Sequence, residues 1–209
     1  MDALRRIAKA SSEGVMWRAY VAARTLAEMA ARAVVEAGLP RPERCEDLPR
    51  VLAGGILDPA DSAKLAEVLK TAKALHKTQD PAVAKKIADD AVELVERLAR
   101  AARRRYPAVE TREGVRYALK AAGVKAAYSI GPGELAVRAD RPLGLEEKLR
   151  LAAELSAELG IPPDRLIVGD LAEPGTLERA IREGKLIYAD DLDDEIDWLS
   201  ERYIEYICC

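Results

Sequence analysis

From Leu4 to Ala37 apolar side chains return every three or four residues, at Val15, Met16, Tyr20, Val21, Leu26, Met29, Ala30, Ala33 and Val34, and Gly38 with Pro40 supplies the stop. This predicts a long amphipathic helix with a break near Gly14. A second helix is expected from Cys45 to Leu52, ending at Gly54-Gly55. Asp58-Pro59-Ala60-Asp61 offers an N-terminal cap and an early proline for a third, reaching about Leu75, and Asp80-Pro81 does the same for a fourth that runs to about Arg104. Four helices joined by short loops predict an antiparallel bundle.

Around Tyr106-Pro107 the pattern changes. A helix from Arg112 to Ala122 leads into a strand, Val124 to Ile130, closed by Gly131-Pro132-Gly133, and Glu134 to Arg138 reads as a second strand. Leu145 to Leu159 is an amphipathic helix ended by Gly160 and Pro162-Pro163, and Arg165 to Val168 is a third strand. Leu177 to Glu183 is helical with Gly184 behind it, and Lys185 to Tyr188 is a short extended piece. Asp190 to Ile207 closes the chain as a helix with Ile196, Leu199, Tyr203 and Ile204 on one face. The expected fold class is therefore α+β overall, a four-helix bundle over residues 1–107 followed by a small α/β domain over residues 108–209. No internal repeat is visible.

Composition narrows the class. Of 209 residues 49% are apolar, enough for packed cores, and no run approaches the length of a membrane span. The N-terminus lacks the apolar stretch of a secretory signal, so the cytoplasm is the expected compartment. There is no Asn, no Phe and a single Gln, and a third of the residues are charged, the profile expected of a thermophilic source. In that setting the pairing state of Cys45, Cys208 and Cys209 stays open, with free or intermolecularly paired C-terminal thiols expected, and their spacing does not resemble a zinc site. The formal charge of −3 divides unevenly, with about +5 on residues 1–107 and −8 on the remainder. Contact with nucleic acid, masking of one half by the other, or docking between halves would each use that asymmetry.

Residues 18–57, with a long helix, the exit GLPRPE and a short helix before a Gly-rich turn, resemble the opening of the HEPN family. The resemblance implies a dimer formed through the helical bundle and, in active members, RNA cleavage by an arginine placed four to six residues ahead of a histidine, often with a tyrosine two residues later. Here the corresponding stretch is Lys70 to Thr78, with His76, the only histidine of the chain, at the family position. The arginine and the tyrosine are missing, and Thr78 offers no phenol. His76 with Lys70 or Lys73 is the candidate catalytic set, histidine moving a proton and a cation steadying the phosphate, although lysine lacks the forked geometry of arginine. The competing reading places His76 at a helix C-terminus, where it satisfies carbonyls and the dipole.

From Val124 onward the order of segments resembles the minimal nucleotidyltransferase family: AAYSIG the first strand, GELAVRAD and the following helix the second, DRLIVGDL the third, LERAIREGKLIYADD the close. The resemblance implies a Gly-Ser turn for nucleotide phosphates and three carboxylates holding magnesium. Gly131 matches the family glycine, but Pro132 replaces the serine. Glu134 falls at the second carboxylate position, Pro132 or Gly133 at the first, and Ile167 at the third. Gly131, Gly133 and Glu134 remain the candidate nucleotide-binding residues, against the reading that they form a tight hairpin turn. No resident cofactor or metal is expected, magnesium and nucleotide entering only through residual binding.

Two charge runs complete the picture. Arg97, Arg100, Arg103, Arg104 and Arg105 are cationic, with Arg103 to Arg105 the candidate nucleic-acid contacts, and Asp190, Asp191, Asp193, Asp194, Glu195 and Asp197 are acidic without the glycine or closing glutamate of a calcium loop. Solvated helix faces explain both runs without a ligand. The leading expectation is a non-catalytic binding or regulatory protein related to HEPN and nucleotidyltransferase toxin–antitoxin pairs. A ribonuclease working through His76 across a dimer and a nucleotide-binding sensor are the competing functions, with RNA or nucleotide as ligand and no membrane partner.

Overall fold

The computed structural model describes residues 2–53, 55–101 and 111–208, the side chains of Asp2, His76, Thr78 and Cys208 excepted. It is an α+β protein that divides into two compact units, Met1–Pro107 with Ser200–Cys209, and Ala108–Leu199.

In the first unit the long N-terminal pattern is split into α1 (Asp2–Ala10) and α2 (Val15–Glu36). Gly14 makes the break with φ 111° and ψ 159°, a backbone conformation that a Cβ disfavours. The inner face of α2 is built mainly of alanines, Ala19, Ala22, Ala30 and Ala33, with Leu26 and Val34 among them. Small side chains let α5 (Pro81–Ala101) pack closely along it. The expected helix at Cys45 begins as a 3-10 turn, Cys45–Asp47, and only Leu48–Leu52 is α-helical (α3), because Pro49 fits the first turn of a helix, where its missing N–H goes unused. Helix α4 (Pro59–Thr78) starts where the sequence places it: the Asp58 carboxylate accepts from the Asp61 amide at 2.8 Å. Asp80 receives the Ala82 amide at 2.8 Å in front of α5. One expectation fails here. Tyr20, assigned by spacing to the apolar face, is 52% exposed.

The second unit carries α6 (Glu113–Ala121), β1 (Val124–Gly131), β2 (Glu134–Ala139), α7 (Leu145–Leu159), β3 (Ile167–Asp170), α8 (Pro174–Glu183), β4 (Lys185–Ala189) and the start of α9 (Leu192–Cys208). Sheet order is β3-β2-β1-β4. The β2–β3 pair is parallel, with α7 as the crossover, and the other pairs are antiparallel. The third strand begins later than its hydrophobicity predicts because Pro163–Arg165 turns as a 3-10 segment first. On one face of the sheet Val124, Ala127, Leu135, Val137 and Tyr188 pack with Val115 and Leu119 of α6 and Leu151 and Leu155 of α7. The opposite face receives α8 and α9. At the end of β3 the buried Asp170 accepts from the Leu143 amide at 2.7 Å and the Ala172 amide at 2.8 Å, so this carboxylate fastens two loops.

Within the first unit, the Tyr203 hydroxyl of α9 donates to the Pro42 carbonyl at 2.8 Å. Cys45 is disulfide-bonded, and the only other cysteines in the sequence are Cys208 and Cys209. No helix among the described residues is long and apolar enough to cross a membrane.

Candidate functional site

Beta strands one and two meet at a two-residue turn, with Gly131 paired to Glu134 and Pro132-Gly133 between them. Proline followed by a glycine of φ 73° is the residue pattern of a type II turn. A side chain at Gly133 would also set its Cβ 2.5 Å from the Arg165 carbonyl oxygen, so glycine is needed both for its φ and for the close approach of β3. That approach is hydrogen-bonded: the Ile167 amide donates to the Gly133 carbonyl at 2.8 Å. The corner that carries Gly131, Gly133 and Glu134 is thus a closed hairpin joined to the neighbouring strand.

Glu134 and Ile167, the second and third carboxylate positions of the nucleotidyltransferase resemblance, are register partners on adjacent strands. The resemblance assigned them, and the sheet sets them side by side. Their chemistry does not fit a metal. Ile167 presents an apolar side chain, 62% exposed, and Glu134 is bound by Arg179 of α8 at 2.5 Å. Arg179 also donates to the Ile130 carbonyl at 3.0 Å and interacts with Glu183, and the pairing with Glu134 holds its guanidinium above the ordinary range. One carboxylate already neutralised by an arginine cannot supply the oxygen set that magnesium requires. Among the described residues there is no group of three or more His, Cys, Asp and Glu side chains arranged to hold a metal ion. Arg179 was missed by sequence reading, since a helical arginine carries no sign of which strand it meets.

Behind the sheet lies the polar centre of this unit. Glu195, at the start of α9, is fully buried, receives the Tyr128 hydroxyl, and is paired with Arg138 Nε at 2.6 Å. Arg138 also reaches Asp194 at 2.9 Å and lies over the Trp198 ring, 5.1 Å from its centroid. Burial pushes the Glu195 carboxyl above its usual range, while Tyr128 and Arg138 hold it down. Asp191 accepts from the amides of Asp193 and Asp194 at 3.0 and 3.1 Å, capping α9. In the acidic run, therefore, Asp191, Asp194 and Glu195 have structural partners.

A groove of about 630 Å³ in this unit runs between α6 and α7, lined by Tyr117, Gly123, Asp140, Arg141, Arg150 and Glu154 among others. At its rim Arg141 pairs with Glu147, which also accepts from the Gly144 amide at 2.8 Å, and together they depress the Glu147 carboxyl to about 2. Arg150 likewise pairs with Glu154 at 3.0 Å, and Asp140 with Lys125 at 2.5 Å.

In the first unit Lys70 and Lys73 are exposed on α4, and Lys73 is held by Glu46 at 2.7 Å. His76 belongs to α4, but its side chain lies outside the described residues, as do Arg103, Arg104 and Arg105. The rest of the cationic run is engaged within the chain: Arg97 with the buried Asp61 and with Glu93, Arg100 with Glu96 at 3.8 Å. Lys64 joins the same α4–α5 network through Glu93 at 2.7 Å and Asp90 at 3.8 Å. Sequence reading also missed an exposed pair, Trp17 and Tyr20, whose rings stack at 5.5 Å between centroids and 22° between planes. Their three-residue spacing on a helix was the available signal.

No family model, curated protein or solved structure matches the chain.

Proposed function

We propose that the chain is a non-catalytic binding or regulatory protein, its sheet unit derived from a minimal nucleotidyltransferase and its helical unit from a HEPN bundle that pairs as a homodimer. The observation that carries this reading is the Glu134 corner. A two-residue hairpin stands where a phosphate loop would be needed, Ile167 is the register partner of Glu134, and Arg179 takes up the remaining carboxylate. Each feature has a structural use that competes with holding a magnesium nucleotide. For the helical unit, the pairing of Lys73 with Glu46 supports the same reading, because a phosphate would have to displace that partner.

The test is transfer itself. Incubation of the purified protein with radiolabelled ATP, magnesium and RNA is expected to leave no label on protein or RNA and no RNA cut. Label incorporation that disappears in Glu134→Gln would overturn the reading for the sheet unit. Cleavage that disappears in His76→Ala would do so for the helical unit and establish a ribonuclease.

A further inference from the structure

The second half of α9, from Ser200 on, belongs to the first unit, where Ser200, Tyr203 and Ile207 are buried at the three- and four-residue spacing of one helix face. This face meets the segment that leads from α2 to α3. Tyr203 donates to the Pro42 carbonyl, and Arg41 and Asp47 act electrostatically on its hydroxyl. Cys45 follows Pro42 by a reach of about 10 Å of extended chain, and α9 ends about 7.5 Å of helix beyond Tyr203. Both lengths are short enough for a disulfide of Cys45 to close them. Its partner follows by elimination. Cys45 is disulfide-bonded and Cys208 and Cys209 are the remaining cysteines, so one of these two is the partner and one sulfur of the three is left over as a thiol.

That third sulfur distinguishes the bond from a plain staple. Cys45 is buried, which shelters its sulfur from thiols in solution. A thiol that neighbours its partner along the chain is already at hand. Adjacent Cα atoms lie about 3.8 Å apart, below the ~4.4–6.8 Å usual for a disulfide. A bond between neighbouring cysteines is therefore strained and easily reduced.

We propose that the Cys45 disulfide is a redox-sensitive latch on the end of α9, opened through the neighbouring C-terminal thiol. In the opening step that thiol, as thiolate, attacks the sulfur of its neighbour. A bond forms between Cys208 and Cys209, the bond to Cys45 breaks, and Cys45 leaves as a thiolate that takes up the proton the attacking thiol gave up. A dithiol from solution then reduces the strained bond to two thiols and is itself oxidised to a disulfide. An oxidised dithiol drives the same steps in reverse. Opening loosens the turns of α9 that carry Tyr203 and Ile207, while α2 stays packed on α5. The latch depends neither on the nucleotidyltransferase and HEPN resemblances nor on the function proposed from them.

The full chain, purified without reductant, is alkylated, digested and mapped by mass spectrometry. The expected result is a monomer on a non-reducing gel, with Cys45 joined to the C-terminal peptide and one alkylated thiol per chain. Hydrogen exchange then follows reduction by dithiothreitol: amides of residues 200–207 are expected to exchange about tenfold or more faster while α2 and α5 keep their protection. Oxidised dithiothreitol should restore the first rates, and Cys45→Ser should exchange fast with or without reductant. The variants Cys208→Ser and Cys209→Ser separate a latch from a staple. Whichever keeps a bond to Cys45 has lost the third thiol, and dithiothreitol is expected to reduce it about tenfold or more slowly than the wild type. Five results would each overturn the proposal: no bond at Cys45, a covalent dimer, unchanged exchange at the end of α9 on reduction, lost protection across α2 and α5, or reduction of that serine variant as fast as the wild type.

Discussion

Glu195 and Glu134 each meet an arginine on the face of the sheet that receives α8 and α9, and burial separates what the two pairs do. Glu195 has 1% of its side chain exposed and Arg138 18%, whereas Glu134 and Arg179 retain 31% and 46%. At the buried pair, desolvation is severe, and the carboxylate is tolerable only because Tyr128 and Arg138 both serve it. At the exposed corner, solvent screens the attraction, so the pair contributes little to stability. What it does contribute is occupancy: Arg179 sits on Glu134, the carboxylate that lies beside Ile167 at that corner. The same ion-pair chemistry is thus a structural fastening in one place and a plug in the other.

This contrast can be broken most forcefully at Arg138. Replacing Arg138 by Met leaves a buried carboxylate with one partner fewer and is expected to destabilise the protein by about 3 kcal/mol at pH 7, the low end for breaking a buried pair because Arg138 keeps some solvent. The pH dependence has a definite sign. With its folded pKa raised above the unfolded value, Glu195 binds more protons in the native state, so stability falls as pH rises through that range. Losing Arg138 raises it further, and the deficit against wild type in thermal melts should shrink between pH 7 and pH 5. A deficit that does not change with pH would mean that Glu195 is not the source.

Gly133→Ala should come next. It forces a Cβ onto the Arg165 carbonyl at positive φ and is expected to cost about 2 kcal/mol in denaturant melts. Glu134→Gln and Arg179→Ala should shift the melting temperature by no more than about 2 °C, as for exposed pairs. A shift as large as that of Arg138→Met would erase the distinction drawn between the two sites. Smallest of all is Glu147→Gln. The Glu147 carboxyl lies at about 2, below its unfolded value, so its contribution is present above roughly pH 4.5 and lost as pH falls toward 2. Variant and wild type should therefore converge in acid, and divergence there would contradict the assignment to Arg141 and the Gly144 amide.

Much of the chain could be read from its pattern. The helix starts at Asp58 and Asp80 carried their caps in plain view, and α7 runs from Leu145 to Leu159 as its periodicity requires. Boundaries drifted where proline or glycine acted locally, as at Gly14, Pro49 and Pro163. Partners were not legible, because they depend on the register between distant elements. In ELAVRA, Leu135 and Val137 alternate with Ala136 and Arg138, and an arginine on the inward side of a strand demands an acid somewhere. Nothing local says that the acid is Glu195 of the tail and not one of its five acidic neighbours. Arg179 is equally silent on its helix. The acidic run, read as a solvated face, proved instead to hold a cap at Asp191 and a buried counter-ion at Glu195. Tyr20 shows the reverse error, apolar spacing that does not lead to burial.

The claim that the Glu134 corner is a closed turn and not a nucleotide site is tested most directly by calorimetric titration of the wild type and of Glu134→Gln with ATP, with and without magnesium. The expected result is no saturable binding that depends on magnesium in either protein. Saturable magnesium-dependent binding in the wild type, lost in Glu134→Gln, would contradict it.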